Sequence, residues 1–110
     1  MTGNIFAAPP AADVEHFETL LSRPGLRIER IVSNGQASPP GFWHEQADAE
    51  WVLLVSGDAL LRFEDETDAR RLRPGDWLLI EARRRHRVDW TSAEMPTIWL
   101  AVHCAAGDKG

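Results

Sequence analysis

Tyrosine is missing from these 110 residues, and cysteine occurs once, at Cys104. A single thiol excludes an internal disulfide, so packing and hydrogen bonding must hold the chain together, as suits a reducing cytoplasm. No unbroken apolar stretch nears the roughly 20 residues that cross a bilayer, so no membrane span is expected. Lys and Arg are absent from Met1 to Ala12, and so is any long apolar run, which argues against a secretory signal. Positive charge is in deficit. Twelve Lys and Arg face 17 Asp and Glu, a formal net charge of −5, which argues against a general nucleic-acid binder. Internal repeats and low-complexity segments are absent too.

What is present is enough for one core. Apolar residues make up 44% of the chain, too many for a disordered one, and the length is that of a single domain. Five tryptophans in so small a domain point to an aromatic-lined interior, an interface, or both.

The chain divides into an N-terminal arm and short helix at 1–25, a barrel at 26–104 and a tail at 105–110. The arm ends in a Pro- and Ala-rich stretch. The spacing of Val14, Phe17, Leu20 and Leu21 predicts a helix from Asp13, as N-cap, to Ser22, with Pro24-Gly25 ending it. From Leu26 the period changes. Leu26–Val32, Trp51–Val55, Ala59–Phe63, Trp77–Ile80, His86–Trp90 and Thr97–His103 read as short strands with turn chemistry between them. Such regular short strands indicate an all-β sandwich or barrel. Trp51–Val55 and Trp77–Ile80 are apolar on both faces, although an antiparallel strand with one wet face should alternate. A homodimer is therefore expected, with a second subunit or the helix covering the outer side.

His44 and Gln46 are two apart and would share a strand face, and Glu50 keeps that parity. His86 opens a later strand behind Arg83, Arg84 and Arg85. Two imidazoles, a carboxylate and an amide oxygen make a borderline-hard metal site, although spacing alone is weak support for it.

The spacing becomes specific when set beside the cupin superfamily, which this chain resembles over about residues 26–104. The first cupin motif runs Gly, five residues, His-x-His, three or four residues, Glu, six residues, Gly. Here His44, Gln46, Glu50 and Gly57 follow that spacing, with Gln46 in place of the second His and Ser38 in place of the first Gly. The second motif runs Gly, five residues, Pro-x-Gly, two residues, His, three residues, Asn. Gly75 and His86 keep their separation, whereas Glu81, Arg83 and Trp90 stand at the Pro, Gly and Asn positions. The resemblance implies a jelly-roll β-barrel with a divalent metal inside, zinc, iron, manganese or nickel, held by His44, Gln46, Glu50 and His86. An amide oxygen at position 46 is a weaker donor than imidazole and shifts the site toward harder ions.

Other residues carry less specific signals. His103, Trp99 and Trp43 are candidates for lining the pocket, His103 as an acid/base or an extra ligand. Arg83, Arg84, Arg85 and Arg87 form either an anion-attracting rim or a solvated loop neutralised by nearby acids. His16 reads as solvent-facing and Cys104 as structural. Three functional readings stay open. One is a metal-dependent enzyme acting on a small molecule, of dioxygenase, isomerase or decarboxylase type. The second is a non-catalytic module that binds or senses a small-molecule ligand. The third is a barrel with a vestigial site and a role in protein contact. Fold alone does not choose among them.

Overall fold

The computed structural model describes residues 2–7 and 14–105. Its strands form where β-branched and apolar residues stand at alternate positions. They are β1 (His16–Arg23), β2 (Leu26–Ser33), β3 (Ala49–Ser56), β4 (Ala59–Phe63), β5 (Arg70–Leu72), β6 (Trp77–Ile80), β7 (His86–Thr91) and β8 (Thr97–Cys104). One sheet has the order β1-β2-β8-β3-β6 and the other β5-β4-β7. Every pairing is antiparallel. The two sheets enclose the core, so the expected all-β jelly-roll barrel is what forms.

Burial follows the pleat. Along β3, Glu50, Val52 and Leu54 are buried while Trp51, Leu53 and Val55 are only partly so. Along β4, Ala59, Leu61 and Phe63 point inward. These side chains, with Leu72, Leu78, Ile80, Trp99 and Ala101, make the core. The outer side is less well covered than the doubly apolar strands suggest. Trp77 is 62% exposed and Leu79 47%.

The expected helix at Asp13–Ser22 does not form. Asp13, its proposed cap, lies outside the described residues, and the segment from His16 onward is strand β1 paired with β2. The supposed helical stripe would have to bury itself somewhere, yet Val14 and Phe17 remain exposed. A helix of about ten residues is marginal by itself in water. The edge of β2 offers a full ladder of backbone hydrogen bonds instead. Pro24-Gly25, read as a helix stop, is the turn of this hairpin, with Gly25 at a φ of 76°. The described part of the arm is fastened by Arg30, whose guanidinium donates to the carbonyls of Ile5 (3.2 Å) and Ala7 (2.5 Å).

Two backbone positions fix the frame around the site. Gly57 turns β3 into β4 at a φ of 95°, and a Cβ there would meet the Thr97 Cα at 2.4 Å. Only glycine fits such an approach. Arg83 has a φ of 68°, the single described non-glycine residue in the left-handed region. It stands at the glycine position of the second motif, so the backbone keeps a glycine conformation after the glycine has gone.

Candidate metal centre

The inner face of the five-stranded sheet changes character along its length. Val52, Leu54 and Ala101 belong to the core, whereas Glu50 and His103 lie directly opposite each other on β3 and β8 at the other end. Here the barrel opens into a cavity of about 300 Å³. Ile31, Val52, Leu61 and Val88 are among its apolar walls, and His44, Gln46, Glu50, His86 and His103 are among its polar ones.

All four residues of the motif spacing line this cavity. His44 and His86 exchange backbone hydrogen bonds, at 2.8 and 3.1 Å, in an isolated bridge beside β7. Their rings stack with centroids 5.6 Å apart. Gln46 reaches the cavity from a loop rather than from a strand shared with His44, so the argument from strand parity is replaced by one from loop geometry. The Arg83 amide donates to the Gln46 carbonyl at 2.7 Å and pins that loop.

Within this group the hydrogen bonds assign roles. The His86 Nδ1 lies 3.1 Å from the Arg84 carbonyl, which only accepts, so Nδ1 carries the hydrogen. With that hydrogen on Nδ1, the other ring nitrogen, Nε2, faces the Glu50 carboxylate 3.9 Å away. Both side chains are nearly buried, 8% and 11% exposed. A nearly buried carboxylate and ring nitrogen facing each other are held together by a cation between them, a proton on Nε2 or a metal ion. A histidine whose far nitrogen is anchored to a backbone carbonyl is also the usual arrangement of a metal ligand. Gln46 donates its amide Nε2 to Glu50 Oε1 at 2.8 Å and so orients the carboxylate. His44 sits at the mouth, its Nε2 3.4 Å from the Ser38 hydroxyl. Burial holds the His44 imidazole below its ordinary value, with the neighbouring His86 acting the same way and Glu50 opposing both.

Of the further candidates, His103 and Trp99 line the cavity. His103 Nε2 lies 2.9 Å from Glu29 Oε1 and 4.0 Å from Glu50 Oε2. Trp99 donates its Nε1 to the Ser33 hydroxyl at 3.2 Å. Trp43 is not among the lining residues. It sits instead beneath the guanidinium groups of Arg62 and Arg87, 5.1 and 5.9 Å from its ring centre. Adjacent residues on an extended segment point to opposite sides, so with His44 turned inward Trp43 turns out. The arginine cluster is largely paired. Arg84 bridges Asp65 and Glu66, Arg85 reaches Glu45 and Glu64, and Arg87 binds Asp89. Among the described residues no group of three or more His, Cys, Asp and Glu side chains is gathered closely enough to hold an ion as it stands.

Glu29 was not singled out from the sequence. The alternation of Arg27, Glu29 and Ile31 on β2 puts it on the same face as an apolar core position, which is the signal that could have found it. That it meets His103, a residue the sequence does single out, becomes visible only through the pairing of β2 with β8.

Comparison with known proteins agrees with this architecture. The family model described as "Cupin domain" matches residues 29–103. A solved structure of a proposed mannose-6-phosphate isomerase from Ralstonia eutropha JMP134 is 56% identical, with a TM-score of 0.93 over 96% of this chain and 99% of that one. A cupin superfamily protein from Desulfitobacterium hafniense DCB-2 shares 16% identity, with a TM-score of 0.73 over 89% of this chain and 84% of that one. A DMSP lyase from Ruegeria pomeroyi DSS-3 is 20% identical, with a TM-score of 0.69 over 88% of this chain but 49% of that one. The last two show the fold alone. No curated protein matches the sequence. From the matched motif spacing, the barrel and the family match together, the chain belongs to the cupin domain family.

Proposed function

We propose that this protein binds one divalent transition metal ion, zinc, iron, manganese or nickel, at Glu50 in the barrel cavity. The observation that carries the reading is His86. Its Nδ1 hydrogen is committed to the Arg84 carbonyl, and its Nε2 faces the buried Glu50 carboxylate at 3.9 Å. Glu50 and His86 would hold the ion, His44 would approach from the mouth, and Gln46 would stand beside the carboxylate. An ion so bound supplies a Lewis acid that polarises an oxygen of a small molecule. The apolar walls would pack against the ligand, and the polar groups beside Glu50 would orient it.

The name of the relative at 56% identity supports a reading of the catalysis as aldose–ketose isomerisation of a phosphorylated sugar. A cavity of about 300 Å³, open at one end, has room for a ligand of that class. Elemental analysis of protein purified without a metal-affinity tag tests the first step. About one equivalent of a transition metal is expected in the native protein and almost none in His86→Ala. Native protein that carries none and takes none up at micromolar concentration near pH 7.5 overturns it. Conversion of mannose 6-phosphate to its ketose by the metal-loaded protein tests the second. Metal without conversion favours the non-catalytic binding reading.

We also propose that a second copy covers the outer face of the five-stranded sheet. Backbone register sets Ile28, Val102, Trp51 and Leu79 in one row across β2, β8, β3 and β6. The row beside it has Arg30, Leu100, Leu53 and Trp77. Arg30 is buried and paired with Glu18, and the other side chains are apolar, so a matching surface must itself be largely apolar, and a twofold copy supplies one. A cytoplasmic site of action belongs to the same proposal, since the one cysteine is free.

A further inference from the structure

We infer that His103, not Gln46, supplies the imidazole that the motif has lost at position 46. This rests on the metal reading above and names a ligand which the family pattern does not. Two donors each about 2.1 Å from one ion stand no more than about 4.2 Å apart. The two oxygens of Glu50 satisfy that limit with different histidines, Oε1 with His86 Nε2 at 3.9 Å and Oε2 with His103 Nε2 at 4.0 Å. The carboxylate thus lies between two imidazoles that arrive from opposite sheets, His86 on β7 and His103 on β8. As they stand no three of these groups converge, so one ion that takes both imidazoles requires the side chains about Glu50 to turn toward it.

Gln46 is turned the wrong way for a ligand. It offers its amide N–H to Glu50, and a cation repels that group. Its work is to hold Glu50 between the two histidines, which makes it a positioning residue. His103 also has a partner suited to the role. Glu29, 16% exposed at its side chain, accepts from the same Nε2 at 2.9 Å. Nε2 therefore stands between two carboxylates, Glu29 and Glu50. An ion held there would take the place of the Nε2 hydrogen, and the ring would carry its hydrogen on Nδ1 instead. Two carboxylates then balance a divalent charge, and softer ions gain a second firm imidazole.

Ring-nitrogen NMR of the unmodified protein during titration with zinc tests this directly. His86 and His103 are expected to shift at Nε2 together, complete at one equivalent, with His103 passing from the Nε2–H to the Nδ1–H form. His103→Gln is expected to weaken cobalt binding, followed by its visible absorption, about 100-fold. Gln46→Ala is expected to weaken it less than about 10-fold. Adding Gln46→His to His103→Gln should recover most of the loss. If zinc moves His86 while His103 stays unchanged, or if Gln46→Ala costs more than His103→Gln, the inference is wrong and the metal reading stands. If no histidine responds to zinc at all, the metal reading itself is wrong. The titration needs no variant, so a misfolded His103→Gln does not remove the test.

Discussion

Strand β3 reads Trp51-Val52-Leu53-Leu54-Val55, and its two faces have different fates. The inner face packs Val52 and Leu54 into the core, 3% and 0% exposed, and ends in Glu50 at the cavity. The outer face carries Trp51, Leu53 and Val55 toward a surface where Trp77 and Leu79 of β6 stand open. Hydropathy is much the same on both faces, so composition does not separate them. Register does, because a slip of one residue would exchange every side chain between them. The inner face has an opposing sheet to fill the space against it. The outer face has none within the chain, and it stays apolar without becoming core.

The largest break in that comparison is expected at Gly57, in the turn that carries the chain from β3 in one sheet to β4 in the other. Gly57→Ala places a methyl group 2.4 Å from the Thr97 Cα at a φ of 95°. Strain and clash together should cost about 3 kcal/mol or more, seen as a large fall in the urea midpoint or as loss of soluble protein. A stability within about 1 kcal/mol of the native protein would mean that the turn relaxes away from Thr97.

Next come two neighbouring leucines on opposite faces. Leu54→Ala removes a fully buried side chain and should cost about 3 kcal/mol. Leu53→Ala should cost less than about 1 kcal/mol when measured on the monomer. Equal losses at high dilution would show that the outer face is packed within one chain, contrary to its exposure. On the edge strand of the uncovered face, Trp77→Lys should leave the fold intact by circular dichroism. By sedimentation it should convert a native dimer at tens of micromolar to monomer, and a native monomer at that concentration would remove the second copy from the proposal.

The smallest expected effect lies at the open end, at Arg83. Arg83→Gly relieves a left-handed backbone while losing one weak ion pair to Glu45 at 3.9 Å. A gain of about 0.5 kcal/mol is expected, a rise of a few degrees in melting temperature. A loss of stability would mean that the long side chain holds the Gln46 loop by more than its backbone amide.

Much of this barrel was legible beforehand, for local reasons. Ala59–Phe63 and Trp77–Ile80 begin and end as observed because turn residues bracket each apolar run. The other four expected strands differ only at their ends. β5 went unread, since Arg70–Leu72 is three residues long and lacks any period of its own. β1 was misread because Phe17, Leu20 and Leu21 fit a helix as well as a strand, and only the waiting edge of β2 decides. At the site, the motif spacing brought His44, Gln46, Glu50 and His86 to one cavity. It could not say that Gln46 presents its N–H rather than its oxygen, since amide orientation depends on neighbours. Trp43 was placed in the pocket from its ring alone, and the parity of its own segment turns it away.

By itself, then, the sequence determined the class of fold, most strand bounds and which side chains carry coordination chemistry. Those depend on hydrophobic period, turn residues and motif spacing, all of which act over short distances along the chain. Tertiary structure alone decided that β1 is a strand, that the outer face is left open, and that Glu29 and His103 meet beside Glu50. The pair Glu29 and His103 stands 74 residues apart in sequence and 2.9 Å apart in space. Pairing of β2 with β8 brings them together, and no local pattern records which strands will pair.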